Sequence, residues 1–537
     1  MTNKHELSKE QKDIIRTEGN VVVTARPGSG KTFTVVEKIK CISETLMDYQ
    51  GIIAISFTRK ASHELIVRCR RKNIMKKQSF LGTIDNFYLT QIIGPFAKHI
   101  TRKDISLEVS VDFSKYPEYK ELANMKNGIT RELEELLIES LKEGHVFLTI
   151  CGETALYILN NVQDCISYLK ARYTHIFIDE YQDCGEVQHN IFVKLVAVGI
   201  IGFAVGDLDQ AIYAFADRYS KYLLSLIGNK DFEHYSITKN YRCHKTISNY
   251  SLKLLGIDSK KENEVSRVFK VSVAGSDKQI MNVIDKKISQ IKVKYNVNNN
   301  NEIAILCRSN ITAVRANKFL KTKSKLFADT EFDKYNSYWG RLFNDLLQSY
   351  FDPNVFKIDF IEKYVDEGLS KTKFLKASKI IGTLFNLKTD ELKKNLNLFL
   401  SFANMIYPEY ENEEVVEVLQ EVLNEEEKLI SYKPAADDEV CILTLHKSKG
   451  LEFKIVFNMD LYRWILPFEY GDMTKNDYIQ CLNLHYVGIT RAIEVCYIMQ
   501  GTERFRSKQA DYINTQESEF LHIDGLSKLR NDVIWKI

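Results

Sequence analysis

Val21-Val22-Val23-Thr24-Ala25-Arg26-Pro27-Gly28-Ser29-Gly30-Lys31-Thr32 opens as a β-branched run, breaks into a glycine-rich turn and ends in Lys-Thr. A short apolar run reads as a buried strand, and the glycines after it permit a tight turn whose N–H groups face outward. Set between a strand and a helix, such a turn cradles phosphates. Ala25, Arg26, Gly28, Ser29 and Gly30 supply the loop, Lys31 neutralises the outer phosphates, and the Thr32 hydroxyl suits a magnesium ion. The full phosphate-loop pattern has glycine where Ala25 stands, so its first position is broken, whereas Gly28-Ser29-Gly30-Lys31-Thr32 is intact.

The matching acidic signal is Asp179-Glu180, at the end of the apolar run Ile176-Phe177-Ile178. Open α/β sheets place ligand chemistry at the carboxyl ends of their strands. Asp179 suits the magnesium, and Glu180 is placed to polarise an attacking water. Asp-Glu after a strand is by itself usually a solvated loop; its pairing with the glycine turn gives it weight.

Further short β-branched runs recur at Ile52–Ile55 and Phe203–Val205, and a second series at Ile303–Leu306, Cys441–Thr444, Ile455–Phe457 and Val495–Ile498. Continuous apolar runs alternating with helical stretches predict parallel strands covered on both faces, hence two α/β domains. The first is expected to take residues 1–90 and 166–245, the second 246–314 and 431–537. Between them, 91–165 and 315–430 are rich in Leu, Lys, Glu, Phe and Tyr and poor in glycine, and are predicted to be helical insertions, with helices over Ile129–Glu143 and Thr389–Met405. Asn298–Asn301 reads as a polar surface loop.

The bulk properties agree with a globular protein of about three to four domains. The 537 residues are 45% hydrophobic and 27% charged, with a net charge of +3, too small to argue for or against nucleic acid. The ten cysteines include no CxxC pair, which argues against a zinc ribbon and predicts reduced, mostly buried thiols. A polar N-terminus and no apolar run of about 18 residues point to a soluble cytoplasmic protein.

Beyond Asp179-Glu180 the chain continues Tyr181-Gln182-Asp183, and other motifs follow in a fixed order. They are Gln11 within Leu7–Ile15, Phe57-Thr58-Arg59-Lys60-Ala61, Gly82-Thr83-Ile84-Asp85, and Gly206-Asp207-Leu208-Asp209-Gln210-Ala211-Ile212-Tyr213. Asn240-Tyr241-Arg242, Thr444–Phe453 and Tyr486-Val487-Gly488-Ile489-Thr490-Arg491-Ala492 complete the series. This order resembles the UvrD/Rep/PcrA-type superfamily 1 DNA helicases. The resemblance implies two RecA-like domains with ATP and magnesium between them, and movement along single-stranded DNA in the 3′-to-5′ direction.

The same resemblance assigns roles. Gln11 would read adenine, Tyr241 would stack on the base, and Glu452 would contact the ribose. Arg242 and Arg491 would be arginine fingers on the γ-phosphate, and Gln210 would sense that phosphate and relay its presence to DNA. Phe57, Tyr213 and Phe215 are the aromatic candidates for base stacking, and Thr83 and His446 for phosphate contacts. An aromatic just past a strand is otherwise more often core. The basic run Arg68–Lys77 reads equally as a DNA-facing strip or a solvated helix end.

Three departures from the family put processive unwinding in doubt: Phe215-Ala216 in place of a tryptophan and arginine, Asn483-Leu484-His485 before the last motif, and a short second insertion. Among compact relatives, Gly82–Phe87 with Ile93–Phe96, Ile176–Asp183 and His485–Ala492 resemble the helicase-like subunits of Gabija antiphage defence. That resemblance implies a nuclease subunit as partner and activation by DNA ends, and leaves a DNA-end-stimulated NTPase sensor as the alternative to a helicase.

Overall fold

The run at Val21–Ala25 forms strand β1, buried along its whole length in a computed structural model. The structure describes residues 7–536 except 27, 58, 75–76, 105–106, 207–219, 258–263, 336, 354, 366–369, 449, 469–474 and 508. Next in the chain come β2 (Gly51–Ser56), β3 (Phe80–Thr83), β4 (Glu108–Ser110), β5 (His145–Phe147), β6 (Tyr173–Asp179), β7 (Ile201–Gly206) and β8 (Glu233–Ile237). Six of them make a parallel sheet ordered β3-β2-β6-β7-β1-β8. The period-two alternation of a strand divides its side chains between two cores. Val22 joins Ile53, Ile55, Ile176 and Ile178 on one face, while Val21, Val23 and Ala25 join Ile52, Ala54, Phe177 and Phe203 on the other.

The second series begins with β9 (Val268–Val273), β10 (Ile303–Cys307), β11 (Ser324–Leu326), β12 (Val440–Thr444), β13 (Phe453–Asn458) and β14 (Ala492–Gly501). A hairpin of β15 (Glu503–Arg506) and β16 (Asp511–Asn514) follows, then β17 (Asn531–Trp535). Seven strands form a parallel sheet ordered β11-β12-β10-β13-β14-β9-β17. Ile303, Ile305 and Cys307 face one core, Ala304 and Leu306 the other.

Every strand expected from an apolar run is present. In the two large sheets, those the runs did not reveal are β3, a four-residue strand containing Gly82, and the edge strands β8, β11 and β17 with their neighbour β9. An edge strand has one flank in water, so its residues alternate or turn polar, as in Glu233-His234-Tyr235-Ser236-Ile237.

The insertions are not wholly helical, which corrects the sequence-based expectation. Within 91–165, β4 and β5 pair in parallel, while the expected helix runs Arg131–Glu143 and is capped by Thr130. Within 315–430, β11 belongs to the second sheet, because Ser324–Leu326 pairs with Val440–Ile442. The helix expected over 389–405 is a 3₁₀ segment, Thr389–Asn395, followed by the helix Leu396–Ile406. Asn299 caps a short turn at Asn300–Glu302, and Asn300 and Asn301 bond to Asp438 and Asp437, so this polar stretch is anchored.

Two compact units result. One contains the chain up to Lys239 together with Phe356–Thr383 and Ser401–Glu411; the other contains Asn240–Val355, Leu384–Leu400 and the chain from Asn412 on. The second insertion therefore contributes to both units. Within the first, Tyr410 donates to Asp112 at 2.6 Å and Lys115 bridges Glu108 and Glu409, tying 401–411 to the first insertion. Nine of the ten cysteines are buried free thiols, and Cys41 is exposed. Among the described residues no helix is long and apolar enough to cross a membrane.

Candidate active site

The turn after β1 takes the conformation its glycines allow. Gly28 (φ 76°) and Gly30 (φ 84°) are both left-handed, a region that costs side-chain-bearing residues free energy. Ala25 remains inside β1, paired with Ile237, so no glycine is required there; this explains how the first position of the motif tolerates alanine. Arg26 is half-buried, and its N–H donates to the Ile237 carbonyl. Pro27 lies outside the described residues. The helix Lys31–Ser43 starts at Gly30 with no side chain capping it. Its first N–H groups and the positive end of its dipole thus suit an anion. Ser29 is buried, and its hydroxyl finds no hydrogen-bond partner among the described residues.

Two ends of the first sheet converge on this turn. Lys31 Nζ lies 3.1 and 3.3 Å from the Glu180 carboxylate oxygens. Thr32 Oγ1 lies 3.5 Å from Asp179 Oδ2. Glu180 itself is left-handed (φ 55°), a strained state for a glutamate. It also accepts a 2.6 Å bond from Gln182 Nε2, while its N–H donates to Asp179 Oδ1 at 2.9 Å. Gln11 is buried; its amide closes a capping box with Ser8 and donates to the Ser29 carbonyl at 3.4 Å, tying the helix Lys9–Arg16 to the turn.

Burial, and after it the Glu180 charge, push the Asp179 carboxyl up to about 6. Because the folded value lies above the unfolded one, the stabilising contribution of Asp179 is full below about pH 4 and is lost as pH rises through about 6. In metal-free buffer, Asp179→Asn is therefore expected to gain roughly 1–3 kcal/mol over the wild type as pH rises through that window, and nothing further above it. Urea melts at several pH values check this.

In the second unit, Asn240 Oδ1 accepts the N–H groups of Arg242 (2.8 Å) and Cys243 (3.0 Å), a local turn that fixes the Arg242 backbone. Arg242 Nη2 lies 2.6 Å from Glu452 Oε1. Arg491 is 7% exposed and bonds the carbonyls of Val487 (3.2 Å) and Leu451 (3.0 Å) and the Thr490 hydroxyl (3.4 Å). Burial, and then the charge of Arg242, hold its guanidinium below the usual arginine value. Two arginines and a glutamate thus gather in one polar cluster, with the half-buried Tyr241 next to Arg242 in the chain.

The residues considered for DNA are more scattered. Phe57 follows β2 and packs half-buried on the core. Thr83 caps the short helix Ile84–Phe87 by accepting from Asn86 N. His446 is exposed after β12. Gln210, Tyr213 and Phe215 lie outside the described residues. The basic run behaves as a helix end: Arg68 pairs with Glu64, Lys72 with Glu37, and Lys77 with Asp48. Gln182, Asn240 and Arg308 were not among the candidates. Arg308 directly follows β10, and its charge lowers the His446 pKa after burial does. Its place just past an apolar strand, like that of Phe57 after Ile52–Ile55, was the available signal.

Residues 7–144 and 113–231 match the UvrD/REP helicase N-terminal domain, and residues 353–501 match the UvrD-like helicase C-terminal domain. With its two parallel sheets, the chain belongs to the UvrD-like helicases, DNA-dependent ATPases built on two RecA-like domains. It is 28% identical, over 96% of its length and 98% of the relative's, to Gabija protein GajB of Bacillus cereus strain VD045. It is 23% identical to a probable DNA helicase II homolog of Mycoplasma genitalium, over 96% of its length and 88% of that protein. To the ATP-dependent DNA helicase PcrA of Staphylococcus aureus it is 22% identical, over 93% of its length and 83% of that helicase.

Proposed function

We propose that this protein is an ATP-driven motor that moves along single-stranded DNA in the 3′-to-5′ direction, working in antiviral defence beside a nuclease partner. The observation that carries the ATPase part is the convergence of Lys31, Thr32, Asp179 and Glu180 on one uncapped helix N-terminus. The site fits a magnesium–nucleotide. Thr32 and Asp179 offer two oxygens, and magnesium takes one or two protein ligands, with phosphates and waters completing its shell. Magnesium, when bound, would neutralise phosphate charge. Lys31 and the helix N–H groups bind the phosphates, and a phosphate competing for Lys31 releases the Glu180 carboxylate to orient and deprotonate water. Gln11 and Tyr241 hold the base and Glu452 the ribose, while Arg242, Arg491 and Gln210 answer the γ-phosphate. Phe57, Tyr213 and Phe215 stack bases, and Thr83 and His446 contact the strand's phosphates.

The match over 98% of Gabija protein GajB supports the defence setting. It also supports a second reading, an NTPase that senses DNA ends without unwinding. ATP hydrolysis measured with no DNA, single strands, blunt duplex and nicked circles separates the two. Stimulation by single strands, lost in Lys31→Ala and accompanied by strand separation, is the expected result. Stimulation by ends or nicks alone, without strand separation, would establish the sensor, and no hydrolysis under any condition, with or without a nuclease partner, would overturn both.

A further inference from the structure

β11, β12 and β10 lie side by side in the second sheet, and the segments leaving their carboxyl ends gather ionisable side chains. Arg308 directly follows β10, His446 and Lys447 follow β12, and Asp329 follows β11. The Phe327 N–H donates to the Ile442 carbonyl and the Leu445 N–H to the Cys307 carbonyl, each at 2.8 Å, so the strands stay paired up to the point where these residues begin. Carboxyl ends of parallel strands are where such sheets meet their ligands.

The basic residues here are treated unequally. Arg308 Nε is buried and finds no hydrogen-bond partner among the described residues, and the Arg308 charge, after burial, lowers the His446 pKa. Lys447 is instead committed. Its Nζ lies 2.7 Å from Asp329 Oδ1 and 4.0 Å from Asp333 Oδ2, and donates to the Ala328 carbonyl at 2.6 Å. The other Asp329 oxygen accepts from Asn310 Nδ2 at 2.8 Å, at the start of the helix Asn310–Phe319. One carboxylate thus bridges the segments after β10 and β12, with two oxygens on two donors, as a phosphate would. The bond from Lys447 holds the Asp329 carboxyl below the ordinary aspartate value, so the acid is charged at neutral pH.

An acid in this place weakens the attraction of the cluster for any other anion. The Lys447 and Asp329 side chains are 31% and 51% exposed, a range in which water and salt leave an ion pair worth little, so a phosphodiester can exchange with the carboxylate. We infer that Asp329 is an internal competitor for the backbone of a single DNA strand, and that Lys447 and Asn310 are the contacts the strand takes over from it. This rests on the motor reading above, in which His446 contacts the strand's phosphates. Asp329 then sets how tightly, and with what salt dependence, the strand is held, and its loss strengthens binding.

The test is anisotropy of a labelled oligothymidylate titrated with the full chain over a range of salt concentrations, for wild type, Asp329→Asn, Lys447→Gln and the two combined. Asp329→Asn keeps the shape and removes the charge. It is expected to bind about three- to tenfold tighter than wild type at low salt, and its plot of log affinity against log salt should steepen by about 0.7, the share of one further neutralised phosphate on a single strand. Lys447→Gln is expected to weaken binding severalfold, and in its background Asp329→Asn should gain less than about twofold, because the cation it frees is gone. Should Asp329→Asn melt far below wild type, Asp329→Ala carries the same expectations. Affinity unchanged or weaker on loss of the acid would overturn the competitor role. So would a gain of undiminished size in the Lys447→Gln background, which would make Asp329 a general negative charge. A wild type that binds no single strand at any salt overturns the motor reading itself, a result distinct from a binding wild type with indifferent variants.

Discussion

Glu180→Gln is expected to lower kcat for ATP hydrolysis by about 10²–10⁴-fold while nucleotide binding survives. The amide keeps the shape and the capacity to accept from Gln182 Nε2, but it loses the negative charge that orients water and takes its proton. It also loses the ion pair with Lys31, whose side chain is 11% exposed. In the nucleotide-free protein that pairing competes with phosphate for the ammonium, so the variant is expected to bind a non-hydrolysable ATP analogue as tightly as wild type or more so. The same broken pair leaves a mostly buried ammonium without its carboxylate, and the nucleotide-free variant should melt at a lower temperature, with the deficit closing on addition of the analogue. A kcat within tenfold of wild type would remove Glu180 from the chemistry.

Arg491→Ala is the second large effect, about 10³–10⁵-fold in kcat, the range an arginine finger supplies by neutralising charge on the transferring phosphoryl group. The guanidinium is already held in place by the carbonyls of Val487 and Leu451, so little side-chain entropy remains to be lost when a phosphate arrives. Those bonds also make the position structural. Alanine leaves the Leu451 carbonyl without this donor and should lower the melting temperature by a few degrees. Arg491→Lys separates the two contributions, because it keeps the charge and loses the fork. It should retain most of the stability and still fall at least tenfold in kcat, with a smaller change in KM. Loss of turnover in proportion to loss of folded protein would instead make Arg491 a scaffold residue.

Arg242 and Glu452 show how the structure refined what the motifs suggested. The family resemblance implies separate roles for them, on phosphate and on ribose, yet here they pair with each other at 2.6 Å. Such a pair, about a third exposed, contributes little to stability and is easily exchanged for a nucleotide's stronger anions. Gln11 differs in the same way, since both ends of its amide are engaged by Ser8 and the Ser29 carbonyl. Neither commitment follows from spacing along the chain.

Sequence by itself determined the two α/β series and marked the residues that gather at the turn after β1. Val21–Ala25, Ile303–Cys307 and Val440–Thr444 are central parallel strands buried on both faces, so they are almost wholly apolar and the run is visible without a partner. Gly28 and Gly30 were legible because their left-handed backbone leaves glycine little competition. Tertiary structure alone decided the rest. Edge strands such as β8 and β17 gain their identity from the neighbour they pair with, and β11 from register with β12, not from their own composition. Tyr181, His189 and Tyr222 meet ring partners up to 33 positions away in the chain (His189 to Tyr222), and no local pattern marks a side chain whose partner is supplied by folding.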